Sequence, residues 1–187
     1  MPTITKTCRT VNGNTGTWTP SDLVTAFSVG GGTEGDGVCA LDSDILSCIN
    51  FDFGSIPAGV NISSISATVS AKGSSTLVEM DNFSFTIDGS TIFGTNSPNA
   101  MTTSYANYTT TETSGFTFND IVNNSNFGIL IGGTNNGSGT RHLFIDSVSI
   151  TVTYFPNPEE GITFGGLINK SKIFDSKIFS TENFPTC

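Results

Sequence analysis

The one histidine of the 187-residue sequence, His142, stands beside Arg141 at the head of a long alternating run. Nucleophilic catalysis needs a base held against the nucleophile and a third group to orient it. No G-x-S-x-G elbow occurs, so His142 reads as a surface or packing residue. Glycoside hydrolysis needs two facing carboxylates. The available acids are Asp36, Asp42, Asp44, Asp52, Glu79, Asp81 and Asp146, and they fall mostly at strand ends and turns. Asp36, Asp42 and Asp44 lack the D-x-D-x-D-G spacing of a calcium loop and read as solvated turn acids. Gly30-Gly31-Gly32, with Gly35 and Gly37, is not followed by Lys-Ser/Thr, so it reads as a flexible loop and not a phosphate cradle. Cys8, Cys39, Cys48 and Cys187 show no C-x-x-C pair, and one histidine with scattered cysteines makes a poor zinc set. Cys39 and Cys48 could meet across adjacent strands, but buried thiols are the expectation. The expectation is therefore no enzyme, no cofactor and no metal. The residues left with binding chemistry are Trp18, Tyr105 and Tyr108. They lie in loop-like stretches, where aromatic rings can stack on sugars. The competing reading is that Trp18 anchors its loop to the core.

Charged residues make up 12% of the chain, against about 25% in an average protein. The net charge is −9 and the pI about 4.2. Seven Lys and Arg are too few to track a phosphate backbone, which argues against nucleic acid and anionic membrane as partners. No apolar run approaches the ~18–20 residues of a membrane span. Met1-Pro2-Thr3-Ile4-Thr5-Lys6 lacks the apolar region of a signal peptide. The expected setting is synthesis in a cytoplasm, with retention there or release by lysis.

Abundant Ser, Thr, Asn and Gly disfavour helices and suit strands and turns. Residues 3–11 read as a first strand, followed by a turn-rich stretch to Gly37. Residues 44–53 put Ile45, Ile49, Phe51 and Phe53 on one face at period two. The run 60–71 changes phase between Ile62 and Ile65, which predicts a β-bulge near Ser63-Ser64. Strands are expected at 76–80, 83–87, about 91–93, 114–118 and 126–132. Asp88-Gly89 and Thr134–Gly139 are turns, 94–112 is a long loop with one edge strand, and 118–124 is one helical turn. Residues 142–154 place Phe144, Val148, Ile150, Val152 and Tyr154 on one face and serines and threonines on the other. The pattern as a whole predicts an all-β, jelly-roll-like antiparallel β-sandwich of about eight strands.

Phe155-Pro156-Asn157-Pro158 breaks the strand pattern, so the body is placed at 1–155 and a C-terminal extended arm or small hairpin at 156–187. The arm is too short for its own core and too apolar for a disordered tail. Phe164, Leu167, Ile168, Ile173, Phe174, Ile178 and Phe179 are its candidate anchors on a neighbouring subunit. A five-residue repeat, Ser171-Lys-Ile-Phe-Asp then Ser176-Lys-Ile-Phe-Ser, suits a two-residue turn that sets Ile173 opposite Ile178. Residues 1–156 carry twelve acids and four bases, while 157–187 carry four acids and three bases. The arm thus either folds back on an acidic body or reaches a neighbour.

Three segments carry a resemblance. They are Phe53-Gly-Ser-Ile-Pro-Ala-Gly-Val-Asn-Ile-Ser-Ser-Ile, Asn119-Asp-Ile-Val-Asn-Asn-Ser-Asn-Phe-Gly-Ile-Leu-Ile and Ile145-Asp-Ser-Val-Ser-Ile-Thr-Val-Thr-Tyr. In this order they resemble the β-sandwich structural proteins of tailed-bacteriophage virions, over roughly residues 50–155. The C-terminal I-T-F-G-G stretch is similar to short repeats that end some phage tail proteins. The resemblance implies a virion component (capsid decoration, neck, tail or fibre) whose partners are other virion proteins and copies of itself. A carbohydrate-binding module on a phage appendage or surface protein, meeting a host glycan, is the alternative. The motifs are structural, and no functional residue follows from them.

Overall fold

Apolar residues alternating with hydroxyl residues build the two longest strands, because a period of two sends one set to each side of a sheet. In a computed structural model, which describes residues 1–12, 18–19, 35–39 and 45–156, these are β6 (Asn61–Gly73) and β11 (Arg141–Phe155). They pair antiparallel along nearly their whole length. The other elements are β1 (Thr3–Thr7), β2 (Thr10–Asn12), β3 (Trp18–Thr19), β4 (Gly35–Cys39), β5 (Leu46–Ile49), β7 (Val78–Thr86), β8 (Asn99–Ala100), β9 (Ala106–Glu112), α1 (Phe118–Ile121) and β10 (Gly128–Asn135).

The strands form two antiparallel sheets. The front sheet runs β3-β4-β11-β6-β9, with β1 also paired to β11, and the back sheet runs β2-β5-β10-β7-β8. Within these lie the quartets β4-β11-β6-β9 and β5-β10-β7-β8. Among the eight quartet strands, successive ones alternate between the sheets except at the β7–β8 hairpin, which is the strand order of a jelly roll. The expected fold class is therefore the observed one, although β4 falls in the stretch read as turn-rich and the expected first strand supplies β1 and β2 outside the quartets. β1, β2 and β3 are short additions at the edges.

The core lies between the sheets. Ile65, Ala67, Val69 and Ala71 of β6 and Val148, Ile150 and Val152 of β11 face Cys48, Ile129, Ile131, Phe83 and Phe85 of the back sheet. Phe53 and Phe127 meet at 6.1 Å between ring centroids, and Phe127 stacks on Phe85 at 6.2 Å. Each such buried side chain removes apolar surface from water at roughly 25 cal/mol per Å².

The resembling segments are framework pieces. Gly59, with φ of 79°, ends the Pro57-Ala58-Gly59 turn that leads into β6. Thr117 and Asp120 cap α1 reciprocally, which satisfies donors at the helix start. Gly128 opens β10 where a Cβ would run into the carbonyl of Cys48.

Several expectations on strand extent and phase are corrected. The first strand divides at Cys8-Arg9: β1 joins the front sheet and β2 the back. β5 ends at Ile49 because Asn50 and Asp52 take positive φ values of 62° and 53°. Leu46 and Cys48 point to the core while Ile45 is exposed, so the face expected for 44–53 is out of phase. The strands expected at 76–80 and 83–87 are one strand, β7. Residues 91–93 contribute only an isolated bridge, Phe85 to Phe93, and 114–118 is not a strand. The bulge near Ser63-Ser64 is present: Thr153 pairs with Ser64 and Tyr154 with Ile62, leaving Ser63 as the extra residue. A second bulge falls at Asp146, between the Ile145–Ala71 and Ser147–Ser70 pairs. It inverts the phase of β11, so Leu143 and Ile145 are buried and Phe144 leaves the core face predicted for it.

Candidate interaction surface

The two sheets differ in what they expose. β5 is buried throughout, and so is β10 from Gly128 to Gly133. The front sheet keeps an open outer face, and its register sets the side chains in rows. One row holds Thr3, Thr153 and Ser64. The next holds Thr5, Thr151, Ser66 and Thr111. Then come Thr7, Ser149, Thr68 and Thr109, and after them Ser147, Ser70 and Asn107. Rows follow one another at about 6.7 Å along the strands, with neighbours about 4.8 Å apart across them.

Hydroxyls bond across the strands: Thr5 to Thr151 at 2.8 Å, Ser66 to Thr111 at 3.0 Å and Thr68 to Thr109 at 3.3 Å. Such pairs add about 0.2–1 kcal/mol each to the sheet. Each hydroxyl keeps further lone-pair capacity for a partner. Lys72 and the bulge residue Asp146 are the charged side chains that β1, β6, β9 and β11 bring to this face.

Beyond the last hydroxyl row lies an aromatic one. Phe144 is opposite Lys72 in the register. The Lys72 ammonium lies 4.3 Å from the Tyr105 ring centroid and 5.0 Å from that of Phe144. The His142 and Phe144 rings lie 5.9 Å apart, 14° from parallel. The Asp146 bulge creates this row by turning Phe144 outward.

The three proposed sugar-stacking aromatics do not share a surface. Trp18 is 1% exposed and belongs to the core, as the loop-anchor reading held. It cannot offer a ring face to a sugar, which corrects its candidacy. Tyr108 is half-buried against the core, and its hydroxyl accepts a hydrogen bond from the Thr102 amide at 3.3 Å. Tyr105 is 39% exposed and is the one that fits the proposal. Phe144, His142 and Lys72 were missed. An unpaired residue between Ile145 and Ser147 was the missing signal, since Phe144 continues the phase of Val148 only if no bulge intervenes.

The candidate acids are dispersed. Asp52 pairs with Arg9 at 2.7 Å, and Glu79 accepts from the Asn136 amide at 2.9 Å. Asp81 lies on β7 of the back sheet and Asp146 on β11 of the front. Asp42 and Asp44 lie outside the described residues, as does the side chain of Asp36. Among the described residues, no group of three His, Cys, Asp or Glu side chains is placed to hold a metal ion. No helix among them is long and apolar enough to cross a membrane. The arm anchors Phe164, Leu167, Ile168, Ile173, Phe174, Ile178 and Phe179 also lie outside the described residues.

Cys39 and Cys48 do not sit on adjacent strands, because β4 belongs to the front sheet and β5 to the back. The partner of Cys48 is Cys8. Both are buried thiols, and each directly precedes one of the two residues joined by the hydrogen bond from the Arg9 amide to the Ile49 carbonyl.

Comparison with protein-family models, with curated proteins and with solved structures returns no match for this chain.

Proposed function

We propose that the chain is a non-enzymatic structural component of a bacteriophage virion that assembles through its β-sandwich and its C-terminal arm. The observation that carries this reading is the outer face of the front sheet. In a chain of net charge −9, this face offers rows of hydroxyls with few charges. Copies can approach there with little long-range repulsion and form many short-range hydrogen bonds. The resemblance of residues 50–155 to virion β-sandwiches supports the same reading.

Size argues that the face does not act alone. Four strands and five rows span roughly 20 Å by 27 Å, on the order of 500 Å². A standard interface takes about 800 Å² from each partner. The apolar arm beyond Pro156 is the natural source of the remainder. Two experiments test the reading. Sedimentation of the chain with and without residues 157–187 is expected to give an oligomer that falls to a folded monomer. Incorporation into particles is expected to be lost with the same truncation. Full incorporation of the truncated chain would sink the proposal.

A second reading, carbohydrate binding, is favoured by the row of Tyr105, Phe144 and His142 beside the hydroxyls. It predicts glycan-array binding that Tyr105→Ala removes while the melting temperature stays unchanged. An array without any bound glycan would reject it.

A further inference from the structure

Two buried nucleophilic groups have no role in the surface just described. Cys8 stands at the corner where the chain leaves β1 in the front sheet and enters β2 in the back. Cys48 is in β5, where it pairs with Val11 of β2 on one side and Ile129 of β10 on the other. The Arg9 amide donates to the Ile49 carbonyl at 3.3 Å, which holds the corner against β5. Both side chains belong to the core, and each cysteine directly precedes one of the two residues joined by that Arg9–Ile49 bond, which brings them to the same corner.

We propose that Cys8 and Cys48 form a redox clasp between the two sheets, a thiol pair under reducing conditions and a disulfide after oxidation. Their unequal chemistry orders the steps. The hydrogen bond from Cys48 favours the thiolate of Cys8 and lowers its pKa, although burial opposes this. The same bond, burial and the neighbouring negative charge raise the pKa of Cys48 well above the usual thiol range. Cys8 is therefore the nucleophile. Accessibility agrees with this assignment. Among the described residues β1 pairs with β11 alone and β2 with β5 alone, so fraying of these edge strands uncovers Cys8. β5, held between β2 and β10, keeps Cys48 covered.

With a small disulfide such as oxidised glutathione as oxidant, the Cys8 thiolate attacks one sulfur and the S–S bond of the oxidant breaks. One glutathione thiolate leaves and takes up the proton lost by Cys8. Cys48 then gives up its proton and attacks the Cys8 sulfur, and the second glutathione departs as a thiol. The protein loses two protons and two electrons, and one oxidant disulfide becomes two thiols. The bond closes a loop containing the 39 residues between the cysteines. Its main effect is to restrict the unfolded chain.

The test is incubation of the full chain with oxidised glutathione, followed by intact mass and non-reducing peptide mapping. The expected product is about 2 Da lighter, carries a Cys8–Cys48 linked peptide pair, and melts about 5–10 °C higher, with dithiothreitol reversing each change. The double variant Cys39→Ser/Cys187→Ser is expected to behave identically. Cys48→Ser should stop at a glutathione adduct on Cys8, while Cys8→Ser leaves Cys48 unmodified. Two thiols that stay reduced in the folded wild type while the unfolded chain oxidises would overturn the proposal. So would a dominant bridge from either residue to Cys39 or Cys187.

Discussion

Ser47 shows how an unmet hydrogen bond can sit inside a well-formed sheet. Its Oγ is buried without a hydrogen-bond partner, the one such side-chain oxygen or nitrogen among the described residues. An unsatisfied buried hydroxyl costs about 1–3 kcal/mol. Ser47→Ala is therefore expected to raise stability by about 1 kcal/mol in chemical denaturation, and an equal loss would mean that the hydroxyl has found a partner. Asp88 is the opposite case. Its carboxylate accepts from the Thr91 amide at 2.7 Å, the Ser90 amide at 2.8 Å and the Thr86 hydroxyl at 3.1 Å. These bonds, led by those from Thr91, hold its pKa well below the ordinary carboxylate value. A group whose pKa is depressed by folding stabilises above its unfolded value of about 3.9 and loses that contribution as pH falls toward the folded value. Asp88→Ala should thus melt below wild type at pH 7. The gap should narrow as pH drops below about 4, and a gap independent of pH would show that charge plays no part. Asp88-Gly89 was legible as a turn from the residue pair alone. The orphan at Ser47 was not, because no local pattern reveals which hydroxyl of a buried strand lacks a partner.

At the scale of elements, legibility followed periodicity and failed where one residue resets it. β6 and β11 are long enough for alternation to dominate, and the Ser63 bulge was readable because its phase change lies within an apolar run. The Asp146 bulge was hidden, because Phe144 is apolar in either phase. A one-residue offset sends every side chain to the opposite face, so this single insertion decides whether the sheet surface carries an aromatic row. β5 was misread for a related reason: Phe51 and Phe53 are buried, but they follow the strand in backbone bent by positive φ at Asn50 and Asp52. The Phe127-Gly128 step is another place where local geometry sets the packing. Gly128 lies against the Cys48 carbonyl and is paired on both sides, with Ile49 and Thr86. Gly128→Ala is expected to cost about 3 kcal/mol, since the β5 backbone must move aside. A loss below half that, measured by urea unfolding, would mean that β5 yields easily.

For the whole molecule, the jelly-roll class followed from loop irregularity and turn chemistry, whereas the strand order was not legible because β4 and β8 lie in stretches that read as loops. The surface was less accessible to sequence reasoning. Low charge suggested a neutral exterior, yet only register shows that threonines and serines from β1, β6, β9 and β11 fall into shared rows. Charge placed there tests the assembly proposal without touching the core. Thr68→Lys with Thr151→Lys should lower the melting temperature by less than about 8 °C, since each removes one cross-strand hydroxyl pair and no core contact. Association measured by sedimentation should weaken at least tenfold. Unchanged association would move the interface away from the front sheet.

The pairing of β1 with β11 constrains when this protein can fold. Thr3 lies opposite Thr153 and Thr7 opposite Ser149, so β1, translated before the other strands of the sandwich, has as its partner among the described residues the strand translated after them. β11 is also the strand on which β4 and β6 close the front sheet. Until Phe155 has been translated, three strands wait with open edges, and loop closure over nearly the whole body precedes any gain from pairing them. A nascent chain in that condition is vulnerable to aggregation and to proteases. Its native state is reached after synthesis of the body and not during it.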